Sequence, residues 1–296
     1  MEPTMYLGAM SNHVHCENYQ FKIDEKLLMF KRNEVLDNIT WLDVKNASGT
    51  ITPDTFSNVP NLKILNFKNC NLDFLQRSFE FLEKLTSVTI ENSNIIIKKE
   101  IFEGNETISS LQFIEMKFSG DECFTHLKKL NYLLIDDCVF ENSKGGIFNG
   151  LENLEYFILK NSKLTGLSDI FKDMQKTTLL SILNNKIGEF DYRSIPKLTK
   201  LRNLSIFNNE ISTDIDYKLF EGTLLENIMF DTNVFLKYID FRAFPALKCV
   251  EIGTLTDIIT EEEQELIDKL KSMNIQYQYT FCGKVVVDMS KVQICG

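Results

Sequence analysis

Residues 201–211 read LRNLSIFNNEI, and residues 62–72 (LKILNFKNCNL) and 130–140 (LNYLLIDDCVF) have nearly the same pattern. In all three segments apolar residues occupy positions 1, 4, 6 and 11, and position 9 holds asparagine or cysteine. Looser copies begin at Ile39, Leu85, Ile108, Leu154, Thr177, Leu225 and Leu247. Successive copies begin 22–24 residues apart, and ten copies at so regular a spacing indicate a repeat architecture.

The pattern also predicts how each unit folds. Apolar positions 4 and 6 flank an outward position 5, which is the period-two pattern of a short, half-buried strand. One such strand cannot bury its apolar side alone, so we expect neighbouring units to stack in parallel over a continuous core. The sequence therefore predicts an α/β solenoid: a leucine-rich-repeat horseshoe of about ten repeats of 22–24 residues, with a parallel β-sheet on its concave face.

Phenylalanine is unusually frequent, with 23 residues in a chain of 296, and much of the excess follows the repeat. An aromatic or apolar residue stands six positions before each repeat start after the first, with one copy a single position out of register: Phe56, Phe79, Phe102, Phe124, Phe148, Phe171, Ile195, Phe220 and Phe241. Stacked one per coil on the convex side, these side chains would form a phenylalanine spine between the strands and the return segments.

We expect four regions along the chain: residues 1–15 as an N-terminus that is disordered or an addition to the natural protein, 16–38 as an N-terminal cap, 39–259 as the leucine-rich repeats, and 260–296 as a C-terminal cap of one helix and short strands. Thr260 followed by Glu263 predicts a capping box at the start of that helix. No second domain is expected.

Charge and hydropathy exclude several classes of partner. Thirty-two basic and 42 acidic side chains give a net charge of −10, which argues against nucleic acid as a partner. No apolar run is long enough to span a membrane. The N-terminus, MEPTMYLGAMSNHVHC, does not read as a signal peptide, which leaves a cytosolic protein, a mature domain or an incomplete N-terminus as readings.

The sequence offers little that resembles catalytic machinery. None of the common phosphate-binding, nucleophile-elbow or zinc-protease motifs is present, so we expect no enzyme activity and no cofactor. His13 and His15 could in principle ligate a metal, but no matching ligand lies nearby in the sequence. We therefore expect no metal site.

Seven cysteines leave an odd number for pairing. Cys70 and Cys138 occupy inward position 9 of their repeats, and Cys123 falls on the convex side. Four cysteines remain as disulfide candidates: Cys16, Cys249, Cys282 and Cys295. Two of the last three could staple the C-terminal cap, whereas a cytosolic protein would keep all seven thiols reduced.

Four sequons mark candidate glycosylation sites at Asn38, Asn46, Asn105 and Asn203. The repeat register predicts that all four asparagines are exposed, in turns between repeats or on the strands. A glycan on Asn203 would stand on the concave sheet.

The concave face of the predicted sheet changes character along the chain. In the first three repeats its outward positions are mostly polar, whereas from the fourth repeat onward many are apolar or aromatic. The predicted partner-binding residues are Ile114, Tyr132, Leu134, Tyr156, Ile158, Leu179, Leu183, Phe207 and Met229. An exposed stripe of this composition is typical of a protein interface.

The repeats resemble extracellular leucine-rich-repeat proteins of arthropods, including Toll-receptor ectodomains and mosquito leucine-rich-repeat immune proteins. The segments FSNVPNL (56–62) and FNGLENL (148–154), which lead into the strands, carry the resemblance, which covers residues 16–296. The chain departs from that family in lacking a complete four-cysteine C-terminal cap and C-terminal heptads.

The resemblance implies a non-enzymatic extracellular protein of innate immunity that binds a protein or microbial ligand, or a second copy of itself, through the concave face of repeats 4–9. Two alternatives remain open. One is a cytoplasmic leucine-rich-repeat adaptor or inhibitor, and the other is an adhesion protein associated with the cell surface.

Overall fold

A computed structural model describes most of the chain. The described residues are 4–7, 12–21, 36–119, 122–141, 146–163, 170–185, 195, 198–209, 220, 222–231, 240–254 and 260–281. Structural statements below concern these residues.

Short strands dominate the described part of the chain. In chain order they are β1 (Thr4–Leu7), β2 (His13–Glu17), β3 (Gln20–Phe21), β4 (Trp41–Lys45), β5 (Ser48–Ile51), β6 (Ile64–Lys68), β7 (Asn71–Phe74), β8 (Ser87–Glu91), β9 (Ile96–Ile97), β10 (Ser110–Ile114), β11 (Lys117–Ser119), β12 (Tyr132–Asp136), β13 (Val139–Glu141), β14 (Tyr156–Lys160), β15 (Leu179–Leu183), β16 (Asn203–Phe207), β17 (Asn227–Asp231), β18 (Cys249–Thr254) and β19 (Gln276–Phe281). Short 3-10 helices cover Pro53–Phe56, Lys99–Phe102, Gly146–Phe148 and Phe241–Ala243, and α1 is Glu261–Ser272.

The predicted solenoid is confirmed. One sheet contains 13 of the described strands, in the order β1-β2-β4-β6-β8-β10-β12-β14-β15-β16-β17-β18-β19. All neighbouring pairs in it are parallel except β1 with β2. Two smaller sheets, β3-β5-β7 and β9-β11-β13, follow the main strands where the chain turns toward the convex side.

The repeat register predicted from the sequence places the strands correctly. In each of the ten predicted copies the strand of the main sheet begins at position 3, from Trp41 in the first copy to Cys249 in the last. Positions 4 and 6 point inward and are buried throughout β4 to β16. The period-two pattern of the repeat therefore fixed both the strand boundaries and the buried face.

The phenylalanine spine is present on the convex side. Its described members are all buried. Phe79 stacks on Phe102 with ring centroids 5.8 Å apart, and Phe124 stacks on Phe148 at 6.1 Å. These offset ring contacts fill the space between the sheet and the return segments.

Position 9 carries a ladder of hydrogen bonds from coil to coil. The backbone N–H of Cys138 donates to Ser162 Oγ at 3.0 Å, Ser162 N–H donates to Asn185 Oδ1 at 2.8 Å, and Asn185 N–H donates to Asn209 Oδ1 at 3.0 Å. These side chains are buried. They satisfy backbone groups that the turn at the end of each strand leaves without a partner.

Position 8 adopts a left-handed backbone conformation in coil after coil, with φ between +50° and +56° at Asn46, Asn69, Asp137, Asn161 and Asn184. Asparagine and aspartate tolerate this conformation better than other non-glycine residues. The requirement explains why asparagine recurs at this position of the repeat.

The N-terminal boundary predicted from the sequence is wrong. Strands β1 and β2 place residues 4–7 and 13–15 in the main sheet, and β2 pairs in register with β4, His13 opposite Trp41. Residues 13–15, expected to belong to a disordered or added N-terminus, therefore share one strand with residues 16 and 17 of the expected cap. This strand starts 28 residues before that of the next coil, outside the 22–24-residue spacing, so the repeat pattern does not reveal it.

Helix α1 and strand β19 follow the last predicted repeat. Thr260 Oγ1 accepts from the Glu263 N–H at 3.2 Å, and the Thr260 N–H donates to Glu263 Oε2 at 2.8 Å, which forms the capping box. Leu266, Ile267 and Leu270 are buried on one face of α1. Strand β19 then adds to the main sheet beside β18, parallel to it.

Candidate functional site

The concave face of strands β12, β14 and β15 carries an aromatic row. Register places Tyr132 beside Tyr156 and Tyr156 beside Leu179. The two tyrosine rings lie 6.4 Å apart, tilted by 41°. Tyr156 is 42% exposed, whereas Tyr132 and Leu179 are half-buried, and burial raises the pKa of the Tyr132 hydroxyl. We call these three residues the tyrosine row.

Four of the predicted partner-binding residues are buried. Leu134, Ile158 and Met229 stand at position 5 of their repeats and Phe207 stands at position 7 of its repeat, and Ile158 is only 2% exposed. Strands about 4.8 Å apart bring outward side chains of neighbouring coils into contact, so they cover one another. The expectation that these four residues are exposed is wrong. They form an apolar floor under the more exposed side chains.

The other edge of the concave face is interrupted by charge. Ile114 and Leu183 are half-buried there, but Asp136 and Lys160 lie between them and form an ion pair of 2.9 Å. Asp136 also accepts a hydrogen bond from Asn161 Nδ2 at 2.6 Å. Apolar residues are therefore not continuous along this edge, and the tyrosine row is the more accessible part of the predicted surface.

A second cluster lies on the concave face at the N-terminal end. His13 Nε2 lies 3.0 Å and His15 Nδ1 lies 3.3 Å from Asp43 Oδ2. Asp43 Oδ1 accepts hydrogen bonds from Trp41 Nε1 and Asn66 Nδ2, both at 2.8 Å. Burial acts to raise the pKa of Asp43, but these bonds and the His13 side chain outweigh it and hold the pKa below its usual value.

The sequence alone does not predict this cluster, because no third ligand lies close to the two histidines along the chain. Asp43 is 28 residues from His15 in the chain but directly opposite it in the sheet. Finding the cluster required the β2 coil to be recognised as a repeat, because only then do positions 3 and 5 of consecutive coils align.

The sequons differ in accessibility. Asn38 and Asn46 are exposed, and Asn203 is half-buried on the concave sheet, where its Oδ1 accepts from Asn227 Nδ2. Asn105 is 2% exposed, which contradicts the prediction. Its Nδ2 donates to the backbone carbonyls of Phe79 and Leu82, so this amide holds a turn and is not open to a glycan.

The cysteines also differ from one another. Cys16 is a free, buried thiol at an inward position of β2, so its proposed role in a disulfide is wrong. Cys70 and Cys138 are likewise free and buried, and Cys123 is buried. Cys249 is disulfide-bonded, and the cysteine with which it pairs lies outside the described residues, as do the candidates Cys282 and Cys295.

Comparison with protein families agrees with this geometry. A model of the BspA type leucine rich repeat region matches residues 29–144 and 119–250, in six copies. The chain belongs to this leucine-rich-repeat family. In the part of this repeat protein that the structure describes, no helix combines the length and hydrophobicity needed to cross a bilayer.

Curated relatives of the repeat protein include Toll-like receptors. It is 27% identical to Toll-like receptor 3 of Bos taurus over 223 residues, which is 71% of this chain and 23% of the receptor. It is also 27% identical to Toll-like receptor 3 of Homo sapiens over 207 residues, 68% of this chain and 21% of the receptor. The repeat protein thus spans less than a quarter of these relatives, and its likeness to Toll-type receptors, expected from the sequence, is confirmed.

Solved structures share the fold. A leucine-rich-repeat protein of Leptospira interrogans superposes with a TM-score of 0.55 at 14% identity, covering 82% of this chain and 72% of that one. The ectodomain of the plant receptor kinase GASSHO1/SCHENGEN3 from Arabidopsis thaliana, in complex with CASPARIAN STRIP INTEGRITY FACTOR 2, superposes with a TM-score of 0.51 at 18% identity. It covers 82% of this chain and 30% of the receptor chain.

Proposed function

We propose that this repeat protein is a non-enzymatic binding protein that recognises a protein partner through the concave face around the tyrosine row. The observation that carries the proposal is the exposed Tyr156 ring, packed beside Tyr132 over an apolar floor. Tyrosine is enriched among residues that contribute most to protein interfaces, because it combines a large apolar ring with a hydroxyl group.

The surroundings of the row favour a protein as the occupant. Tyr132 and Tyr156 stand on paired strands, two residues from the buried Leu134 and Ile158, so little backbone conformational entropy is lost when a partner binds. The ion pair of Asp136 with Lys160 supplies a polar rim at one edge. A net charge of −10 disfavours nucleic acid.

The relatives support the same class of function. The plant receptor ectodomain with this fold was solved in complex with CASPARIAN STRIP INTEGRITY FACTOR 2. The similarity to Toll-like receptor 3 supports an extracellular localisation of this repeat protein and a role for it in innate immunity. We further propose that Asn38 and Asn46 carry glycans and that the disulfide of Cys249 staples the C-terminal end in that setting.

Two alternatives predict different chemistry for the same fold. An intracellular adaptor or inhibitor would have no glycans, and an adhesion protein would remain with the cell surface. The mass of the intact protein from its native source distinguishes the first alternative, because glycans at Asn38 and Asn46 add mass that an enzyme such as a glycosidase removes. A bare chain would contradict the extracellular proposal.

The interface itself is tested by substitution. The partner is first isolated by affinity capture on immobilised wild-type protein. We expect the double variant Tyr132→Ser, Tyr156→Ser to bind this partner at least about tenfold more weakly, since each ring is an anchor of the type that contributes about 2 kcal/mol or more. Phe81→Ser is the matched control, because Phe81 is 50% exposed on a return segment. Affinity is measured by calorimetry or surface plasmon resonance.

Two outcomes of that experiment would contradict the proposed surface. One is an unchanged affinity in the double variant with its circular dichroism intact. The other is a wild-type protein that forms a dimer which the double variant does not form, because the occupant of the row would then be a second copy of this chain. Sedimentation of both proteins detects the second outcome.

A further inference from the structure

The cluster of His13, His15 and Asp43 is separate from the surface proposed for the partner. It lies on β2 and β4, whereas the tyrosine row lies on β12, β14 and β15, with β6, β8 and β10 between them in the sheet. One ligand atom from each of its three side chains lies within 4.8 Å of the others. The three residues are neither fully buried nor fully exposed.

The sheet itself brings these groups together. His13 and His15 are two residues apart on β2, so both side chains point to the concave face. The register of β2 with β4 places His15 opposite Asp43. His13 stacks on Trp41 with centroids 4.1 Å apart and a 16° angle between the rings, which fixes the orientation of its imidazole.

Asp43 is oriented by its neighbours as a metal-ligating carboxylate would be. Trp41 and Asn66 both donate to Oδ1, and Oδ2 is the atom that faces the two imidazoles. Outer hydrogen bonds of this kind hold a carboxylate in a fixed direction and are typical of the surroundings of metal sites. They orient Oδ2 before any ion binds.

We propose that His13, His15 and Asp43 bind one zinc ion, with the fourth position open to water. Two ligands of a tetrahedral zinc ion at its usual bond lengths lie about 3.3 Å apart, and the two nitrogen–oxygen distances are 3.0 and 3.3 Å. Two imidazoles and one carboxylate form a donor set that suits zinc, whereas calcium and magnesium prefer oxygen ligands alone.

The position of the cluster is compatible with entry of the ion. The three side chains are 13–18% exposed, so the cluster opens to solvent on the concave face. The thiols of Cys16, Cys70, Cys123 and Cys138 are buried, which keeps these four strong zinc ligands away from the described surface. The net charge of −10 further favours a cation.

The test is isothermal titration calorimetry. The full chain is first stripped of metal with a chelator, the chelator is removed, and the protein is then titrated with Zn²⁺. We expect one saturable site in the wild-type protein and affinity lowered by about tenfold or more in His13→Phe, His15→Gln and Asp43→Asn, because each removes a ligand. His13→Phe keeps a ring over Trp41. His126→Gln is the matched control, since His126 is an exposed histidine outside the cluster, and we expect its affinity to be unchanged.

A measurement on the wild-type protein alone keeps the proposal falsifiable if a variant fails to fold. X-ray absorption at the zinc edge is expected to show nitrogen and oxygen ligands with imidazole scattering. Four results would each overturn the proposal. They are sulfur ligands at the zinc, no saturable binding, zinc affinity in all three variants equal to that of the wild-type protein, and a preference for Ca²⁺ over Zn²⁺.

Discussion

At the scale of single residues, the buried asparagines of position 9 connect the coils. Asn185 Nδ2 donates to the backbone carbonyls of Leu159 and Leu183, and its Oδ1 accepts from the Ser162 N–H. One side chain therefore satisfies three backbone groups in two successive coils. The sequence predicted an inward polar residue here, because asparagine recurs at position 9 of an otherwise apolar pattern.

We expect Asn185→Ala to lower the free energy of unfolding by at least about 2 kcal/mol, since a buried polar group left without a partner costs about 1–3 kcal/mol. Asn184→Gly is the control. Asn184 is exposed with φ at +56°, a conformation that glycine adopts readily, so the change should stay within about 0.5 kcal/mol. Urea unfolding measures both, and equal losses would show that the ladder contributes nothing.

The buried thiols lead to a second prediction at this scale. Burial raises the pKa of Cys16 and of Cys138 to about 12, so both remain protonated at pH 8, where an exposed thiol begins to ionise. We expect neither to react with iodoacetamide in the folded protein at pH 8 and both to react in denaturant. Mass spectrometry of the digested protein locates the labels, and rapid labelling without denaturant would contradict the burial of these residues.

Residue-scale prediction from sequence failed where local conformation decides accessibility. Asn105 lies in a sequon and was expected at the surface, but its amide caps the carbonyls of a buried turn. Cys16 was considered for a disulfide because the strand that buries it was not recognised. Neither error could be avoided from the repeat pattern alone, since both residues lie outside the positions that the pattern defines.

At the scale of elements, the spine and the strands have separate sequence signals, and both were readable. The strands follow from period-two alternation at positions 3–7, and the spine follows from an aromatic or apolar residue six positions, or in one copy five, before the repeat start. The coil of β2 and β3 was missed because its spacing differs. Helix α1 begins where the capping box of Thr260 and Glu263 predicted it to begin.

Two phenylalanines close in sequence, one in the spine and one at the surface, allow the contribution of the spine to be measured. Phe79 is buried and contacts Phe74 and Phe102, with ring centroids 5.4 and 5.8 Å away, whereas Phe81 is largely exposed. We expect Phe79→Ala to lower the free energy of unfolding by about 3–5 kcal/mol through the cavity that it leaves. Phe81→Ala should change it by less than about 0.5 kcal/mol. Thermal and urea unfolding distinguish the two, and similar losses would refute the spine.

At the scale of the whole molecule, the concave face was only partly predictable. The register told which side chains leave the sheet on that face, and it placed Tyr132 and Tyr156 together. It did not tell how far outward side chains cover one another, so Ile158 and Phe207 were expected at the surface and are buried. Exposure on a curved sheet depends on neighbours from adjacent coils, which a single repeat does not specify.

The separation of the two concave clusters predicts that they act independently. His15→Gln and Tyr156→Ser change residues on strands far apart in the sheet, and effects of distant sites usually add within about 0.5 kcal/mol. We expect the free energies of unfolding of the two single variants and of the double variant to obey this additivity. Urea titration of all three, in the presence of a chelator, measures it, and a larger coupling energy would show that the coils transmit strain.

The reversed direction of β1 has a consequence for self-assembly. The exposed end of a stack of similar coils can pair with the end of another copy. Head-to-tail contacts that do not close into a ring produce filaments. At the N-terminal edge of this sheet, however, β1 runs against β2, whereas the strands from β2 to β19 all share one direction. A second copy that docked its own parallel coil there would meet a strand of the opposite sense. Strand β1 therefore interrupts, on this side of the described sheet, the run of parallel pairs that a docking copy would have to continue.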